Sequence, residues 1–193
     1  MPWTARWREL MLPEVRVMLE RARSARVSLD GLLDVLPADY WDRAEAGSRW
    51  TLRDQLAHLA SADGILEDLL RSVAAGESRV WVGGTEDPAE LFVRREAPLT
   101  ELGGLSLEAL RTNAAEARAA VESGCAGLDA SMLNAGVFIA GAMDRWAEPL
   151  RWGLRVYLSS WATHDSVHET SIRAAIATTP DLSTVALTQR RRR

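Results

Sequence analysis

The stretch that decides the fold is residues 159–172, SSWATHDSVHETSI, which places His164 and His168 four residues apart. The third histidine of the chain, His58, lies in residues 50–63, WTLRDQLAHLASAD. Apolar residues recur in both stretches at intervals of three and four, the spacing that puts side chains on one face of a helix. The sequence therefore predicts two helices that turn their histidines toward a core.

Length and composition indicate one globular domain. The chain has 193 residues, 47% of them hydrophobic and 26% charged, which is enough for a single sizeable core. We expect residues 1–178 to form this domain and residues 179–193 to form a flexible, arginine-rich tail. A formal net charge of −4 gives no overall attraction to nucleic acid or to an anionic membrane.

Helical periodicity dominates the chain and predicts an all-α four-helix bundle. A short amphipathic segment, residues 3–11, would precede it. A long irregular segment, residues 76–105, would separate the second and third helices and wall a pocket, with residues 87–96 able to form a short helix. Residues 133–146 suit either a short strand or a loop. The predicted helices are Pro13–Leu36, a second from the capping box of Thr51 and Asp54 to Ala75, a third from the cap Ser106 to Gly124, and a fourth from Pro149 to Ala177.

Several protein classes are disfavoured by what the sequence lacks. A single cysteine, Cys125, excludes an internal disulfide and is typical of a small packing residue. No run of about 18 apolar residues predicts a membrane helix, so we expect a soluble, cytoplasmic protein. The four terminal arginines, residues 190–193, would attract nucleic acid only weakly. All basic residues are arginine, which is typical of a GC-rich bacterial genome.

The three histidines are candidate metal ligands. On a helical wheel His164 and His168 share a face with Tyr157 and Trp161, and His58 falls on an apolar arc of its own helix. Side chains four apart on a helix lie roughly 6 Å from each other, close enough for two imidazoles to bind one ion. The set suits a divalent metal, with zinc first and nickel, iron or copper as alternatives.

The alternative is three separate core histidines, each with its own hydrogen-bond partner. One metal would satisfy all three buried imidazoles at once, which favours the shared site. A zinc peptidase is disfavoured, because the HExxH signature of that class has glutamate where this chain has Asp165, one methylene shorter.

Three stretches together resemble a known family: RWTLRDQLAHLASADGILEDLL, LSLEALRTNAAEARAAV and YLSSWATHDSVHETSIRAAI. They are similar to the DinB/YfiT-like superfamily, including its mycothiol-dependent maleylpyruvate isomerase-like branch. The resemblance carries over to His58 and to the pair His164 and His168, and Trp50 also fits. It implies a bundle of unusual connectivity, a divalent metal held by three histidines and, in several branches, thiol-dependent transfer or isomerisation. The chain departs from the isomerases by lacking an obvious additional C-terminal domain.

Two functions follow as hypotheses. Three protein ligands leave a tetrahedral metal one open position, where a low-molecular-weight thiol such as mycothiol or bacillithiol could be activated. The first hypothesis is therefore a thiol S-transferase or isomerase with a small-molecule substrate. The second is a non-catalytic bundle in which the metal only stabilises the core. A homodimer is a further prediction.

Three further residues are candidates for the site. Asp63 lies in an apolar arc, where a lone carboxylate is costly, so we predict a catalytic base, a hydrogen-bond acceptor for an imidazole, or half of an ion pair, the last being favoured. Tyr157 and Trp161 precede His164 by two turns and one turn and are predicted to line the binding pocket, with plain core packing as the alternative.

Overall fold

The computed structural model describes residues 11–43 and 50–177. It contains six α-helices and a three-stranded sheet. The helices are α1 (Pro13–Leu33), α2 (Leu52–Ala74), α3 (Pro88–Gly103), α4 (Leu107–Ala126), α5 (Leu154–Trp161) and α6 (His164–Ala177). The strands are β1 (Arg79–Trp81), β2 (Gly136–Met143) and β3 (Pro149–Gly153).

The predicted starts of the first three bundle helices are confirmed, because the local chemistry of each start is present. Proline occupies the first turn of α1. The Thr51 side chain accepts from the amide of Asp54, whose carboxylate in turn accepts from the amide of Thr51. Ser106 caps α4 by accepting from the amide of Ala109. These contacts satisfy amides that have no partner inside their own helix.

The predicted four-helix bundle is confirmed and consists of α1, α2, α4 and α6. The helix α2 packs along α4, and α1 packs along α6. One end of the core takes a fully buried side chain from each helix: Leu29, Leu56, Leu110 and Ile172. Burial of such side chains stabilises a fold by roughly 1.5–3 kcal/mol each.

A small sheet accompanies the bundle. In the strand order β1-β2-β3, β1 pairs parallel with β2, and β2 pairs antiparallel with β3. The alternative of a strand within residues 133–146 is therefore confirmed. The predicted long segment between the second and third bundle helices is also present, and it holds β1 and the 16-residue helix α3.

The prediction of one continuous helix from Pro149 to Ala177 was wrong. Residues 149–153 pair with β2 instead, with Gly153 opposite Gly136. The remainder is broken after α5, where the Thr163 hydroxyl donates to the Ser160 carbonyl at 2.9 Å. Such a side-chain bond competes with the helical pattern. The chain restarts at α6, so the two C-terminal histidines open a new helix.

Some expectations fall outside the described residues. They are the tail at residues 179–193 and nearly all of the amphipathic segment at residues 3–11. In the part that is described, no helix has the length and apolar character needed to span a membrane.

Candidate metal centre

Three imidazoles converge between α2 and α6. His164 Nε2 lies 3.4 Å from His58 Nε2 and 3.1 Å from His168 Nε2. One ring nitrogen from each of the three lies within 4.8 Å of the others. The break after α5 makes His164 the first residue of α6, and His168 follows one turn later. The predicted ligands are thus brought together.

The hydrogen bonding of the triad leaves lone pairs facing each other. Nδ1 of His168 contacts the buried side-chain oxygen of Gln55. Because an amide oxygen can only accept, Nδ1 carries the proton and Nε2 of His168 presents a lone pair. A proton on His164 Nε2 can be donated to Nε2 of His168 or to Nε2 of His58, but one N–H cannot point at both. A cation at the centre would satisfy all three nitrogens.

The spacing fits a first-row divalent metal. Zinc binds imidazole nitrogen at about 2.0–2.1 Å, so two nitrogens of a tetrahedral site lie roughly 3.4 Å apart. The two Nε2 separations are 3.4 and 3.1 Å, close to that value. Three neutral nitrogen donors also match the chemistry of zinc, nickel and iron. The residues therefore fit the group that the sequence predicts.

The surroundings keep these imidazoles neutral, the form that binds metal. Burial, with a smaller contribution from the other two histidines, lowers the pKa of His58 to about 3. Burial and the neighbouring His164 lower the pKa of His168 to about 4. Burial also lowers the pKa of His164, against the opposing charge of Asp165. At neutral pH no proton has to leave before the metal binds.

Trp50 covers the triad from the segment before α2. Its ring lies nearly parallel to the ring of His168, at 12° with centroids 6.4 Å apart, and 4.9 Å from the ring of His58. An indole in this position restricts the rotamers of both imidazoles and limits the access of water. This gives a physical reason for tryptophan at this position.

A cavity of about 300 Å³ opens on the triad. His58 and His164 border it, and α3 forms one wall, in agreement with the wall predicted for residues 76–105. Tyr157 and Trp161 line it from α5. Its remaining apolar and aromatic lining is Trp50, Ala62, Ile65, Val82, Leu99, Ile139 and Trp152, and its other polar lining is Ser61, Arg95, Glu96 and Ser160.

Asp63 lies beneath this cavity in an ion-pair network. It is 1% exposed and accepts from Trp161 Nε1 at 2.7 Å and from Arg118 Nε at 3.0 Å. Burial, the largest effect, raises the pKa of Asp63, and the charge of Arg118 opposes this. The predicted ion pair is therefore present. A catalytic role for Asp63 stays a prediction.

The same network joins all four bundle helices. Asp165, also 1% exposed, accepts from Arg118 Nη2 at 3.0 Å and from Arg26 Nε at 3.0 Å. With Asp63, these residues come from α6, α4, α1 and α2, and two positive charges balance two negative ones. Losing one partner of such a set would leave an uncompensated buried charge, at a cost of about 3–5 kcal/mol.

Sequence reasoning missed several polar residues of the region. Gln55 precedes His58 by three positions on the same buried face of α2, a spacing that could have identified it. Arg118 is a lone arginine among the buried positions of the alanine-rich helix α4. Arg95 had no signal, because the position of α3 against the cavity depends on tertiary packing.

Cys125 plays no part in the site. It is buried in the core, and burial raises the pKa of its thiol to about 12. Its sulfur is therefore not a thiolate at neutral pH, in agreement with the predicted packing role.

Comparison with known proteins decides the family. The profile of the mycothiol maleylpyruvate isomerase N-terminal domain matches residues 22–148, well over half of the chain. The chain belongs to this family. The matched region includes His58 and ends before His164 and His168, so the juxtaposition of the three rests on the structure and not on the profile. No curated protein matches the sequence significantly.

Two solved structures share the fold of this chain. A mycothiol-dependent maleylpyruvate isomerase superposes with a TM-score of 0.63 at 16% identity, over 83% of this chain and 60% of that one. YfiT from Bacillus subtilis, described as a probable metal-dependent hydrolase with an unusual four-helix bundle topology, gives 0.62 at 12% identity over 83% and 85%. The chain thus spans about 60% of the length of the isomerase. At these identities the likeness establishes the fold.

Proposed function

We propose that this protein is a metal-dependent enzyme that activates a low-molecular-weight thiol, of the mycothiol or bacillithiol type, for S-transfer or isomerisation of a small molecule. One observation carries the proposal. Three neutral imidazoles converge at the spacing of metal ligands, and two of them, His58 and His164, border a cavity of about 300 Å³. A purely structural metal would need no such cavity, because structural sites are closed.

In this proposal His58, His164 and His168 hold the metal, with zinc first and nickel or iron as alternatives. A bound divalent metal supplies a charge that lowers the pKa of a coordinated thiol, so that the sulfur is a thiolate at neutral pH. Gln55 fixes the ring of His168 by accepting from its Nδ1. Such partners keep a ligand oriented and raise its basicity.

The cavity walls position the substrate. Burial raises the pKa of Tyr157, so its phenol stays protonated and can donate a hydrogen bond to a substrate oxygen. Trp161 presents its ring, and Asp63 fixes that ring by accepting from Nε1 at 2.7 Å. Asp63 then acts through Trp161 as a positioning residue. Aromatic walls exclude water, which strengthens polar interactions within the cavity.

The first test is metal content by plasma mass spectrometry on untagged protein. We expect close to one equivalent in the wild type and a loss of most of it in His164→Ala, because two imidazoles hold a metal less tightly than three. Ser166→Ala, an exposed change two residues away on α6, is the matched control and should retain the metal. Equal metal content in wild type and His164→Ala would refute the three-histidine site.

The second test is thiol transfer to an electrophilic bimane by the metal-loaded protein, with mycothiol and bacillithiol as donors. Turnover should occur with one of these two thiols and should disappear in His58→Ala. The metal could instead bind stoichiometrically and raise the melting temperature while no thiol supports turnover. That outcome would favour the non-catalytic bundle. The expected homodimer stays a prediction that light scattering can check.

A further inference from the structure

The helix α3 brings a positive charge to a cavity that is otherwise mainly apolar. Arg95 lines the cavity that opens on His58 and His164. Nine of the other lining residues are apolar or aromatic: Trp50, Ala62, Ile65, Val82, Leu99, Ile139, Trp152, Tyr157 and Trp161. A guanidinium at the border of such a surface is a recognition group for anions, since it presents several donors in a planar fork.

Arg95 and its neighbour Arg94 differ in the contacts that they make with the described residues. Arg94 binds the Glu90 carboxylate and donates to the Gly83 carbonyl at 2.7 Å. Arg95 makes no hydrogen bond or ion pair within residues 11–43 and 50–177. Its donors are available to a ligand, whereas those of Arg94 are engaged.

Arg95 and two of the metal-ligand candidates line one cavity. Arg95 and Glu96 border it from α3, His58 from α2, and Tyr157 and His164 from α5 and α6. A carboxylate accepts hydrogen bonds and repels an anion, so of the two charged residues on α3 it is Arg95 that can bind an anionic group.

We infer that the cavity takes a molecule with one anionic group, such as a carboxylate, on a mainly apolar body, and that Arg95 binds that group. The apolar body would lie against Ile65, Leu99 and Trp152, and its other end would lie toward the triad. This inference rests on the proposed function in one respect, since it takes the cavity as the substrate-binding site. Arg95 is then the residue that determines specificity for charge.

The test uses hexanoate and its uncharged isostere hexanamide, titrated by calorimetry at pH 7 into wild type, Arg95→Met and Arg94→Met. Hydrogen bonds to a charged group are worth about 10-fold or more in affinity, so the wild type should prefer hexanoate by at least about that factor. Arg95→Met should remove the preference and leave hexanamide binding unchanged. Arg94→Met removes the same charge one residue away and should retain the preference.

Each titration is run on metal-free and on metal-loaded protein, because a carboxylate can also bind a metal directly. If the metal-free protein prefers hexanoate to hexanamide and the preference depends on Arg95, the inference is supported even if thiol transfer fails. The inference is overturned by wild type that does not prefer hexanoate, by Arg95→Met that keeps the preference, or by an equal loss in Arg94→Met. Metal content is measured separately, so failure of the metal site is distinguishable.

Discussion

At the scale of single residues, Gln55 sets the tautomer of the triad. Its side-chain oxygen contacts Nδ1 of His168, which leaves Nε2 of that ring as a lone pair facing His164. We predict that Gln55→Met lowers metal affinity by about 10- to 100-fold, the usual effect of losing a partner that orients a ligand. Competition for zinc against a chromophoric chelator measures this affinity.

The matched control for Gln55→Met is Gln55→Glu, which keeps a side-chain oxygen able to accept from Nδ1. It should retain most of the metal affinity that Gln55→Met loses. Thermal unfolding of the two metal-free variants separates orientation of the ligand from loss of packing. Unchanged zinc affinity in Gln55→Met would show that the contact does not orient His168.

At the scale of elements, Gly141 joins the sheet to the cavity wall. It lies in β2 with φ +80°, within the register shift between Phe138 and Met143. An added Cβ would lie 3.2 Å from Pro88, the first residue of α3. We predict that Gly141→Ala lowers the free energy of unfolding by at least about 1 kcal/mol, since the left-handed backbone alone costs that much with a side chain.

A reverse substitution serves as the control for Gly141→Ala. Ala147 has φ 62° in the turn between β2 and β3, so Ala147→Gly relieves the same kind of strain. Urea titrations measure both variants, and Ala147→Gly should raise the free energy of unfolding by up to about 1 kcal/mol. Equal stability of Gly141→Ala and wild type would mean that β2 adjusts and that α3 is not held at this point.

The elements differ in how far the sequence predicts them. The starts of α1, α2 and α4 follow from proline, threonine and serine at fixed offsets, which is local chemistry. The division of Pro149–Ala177 into strand and two helices could not be predicted in this way. Residues 149–153 become a strand because β2 offers them pairing, and β2 is a neighbour only in the folded chain.

The candidate site shows the same division. His164 and His168 are juxtaposed by spacing on one helix, and an apolar arc around His58 indicates that it also faces inward. The arginines around the triad could not be found locally. Arg95 reaches the cavity from α3, and Arg26 and Arg118 reach Asp165 from α1 and α4, so each contact spans many residues of sequence.

At the scale of the whole molecule, the partly buried imidazoles couple stability to pH. The pKa is lowered in the folded state to about 3 for His58 and to about 4 for His168, and it is lowered for His164 as well. Unfolded histidine titrates near about 6.5. At a pH between the folded and unfolded pKa values, the unfolded chain binds more protons than the folded one. The stability that the neutral imidazoles contribute above about pH 6.5 is therefore lost as the pH falls.

We therefore predict that the free energy of unfolding of the metal-free protein decreases from about pH 6.5 to about pH 5, with a slope of one to three protons taken up on unfolding. Asp63 and Asp30 oppose this at lower pH, because burial raises the pKa of both carboxyls in the folded state. Urea titrations at several pH values give the slope. His58→Asn should reduce it by about one proton, and Ser166→Ala should not change it. A flat profile, or an unchanged slope in His58→Asn, would show that the imidazoles are hydrated in the folded protein, which is incompatible with a triad kept neutral for metal.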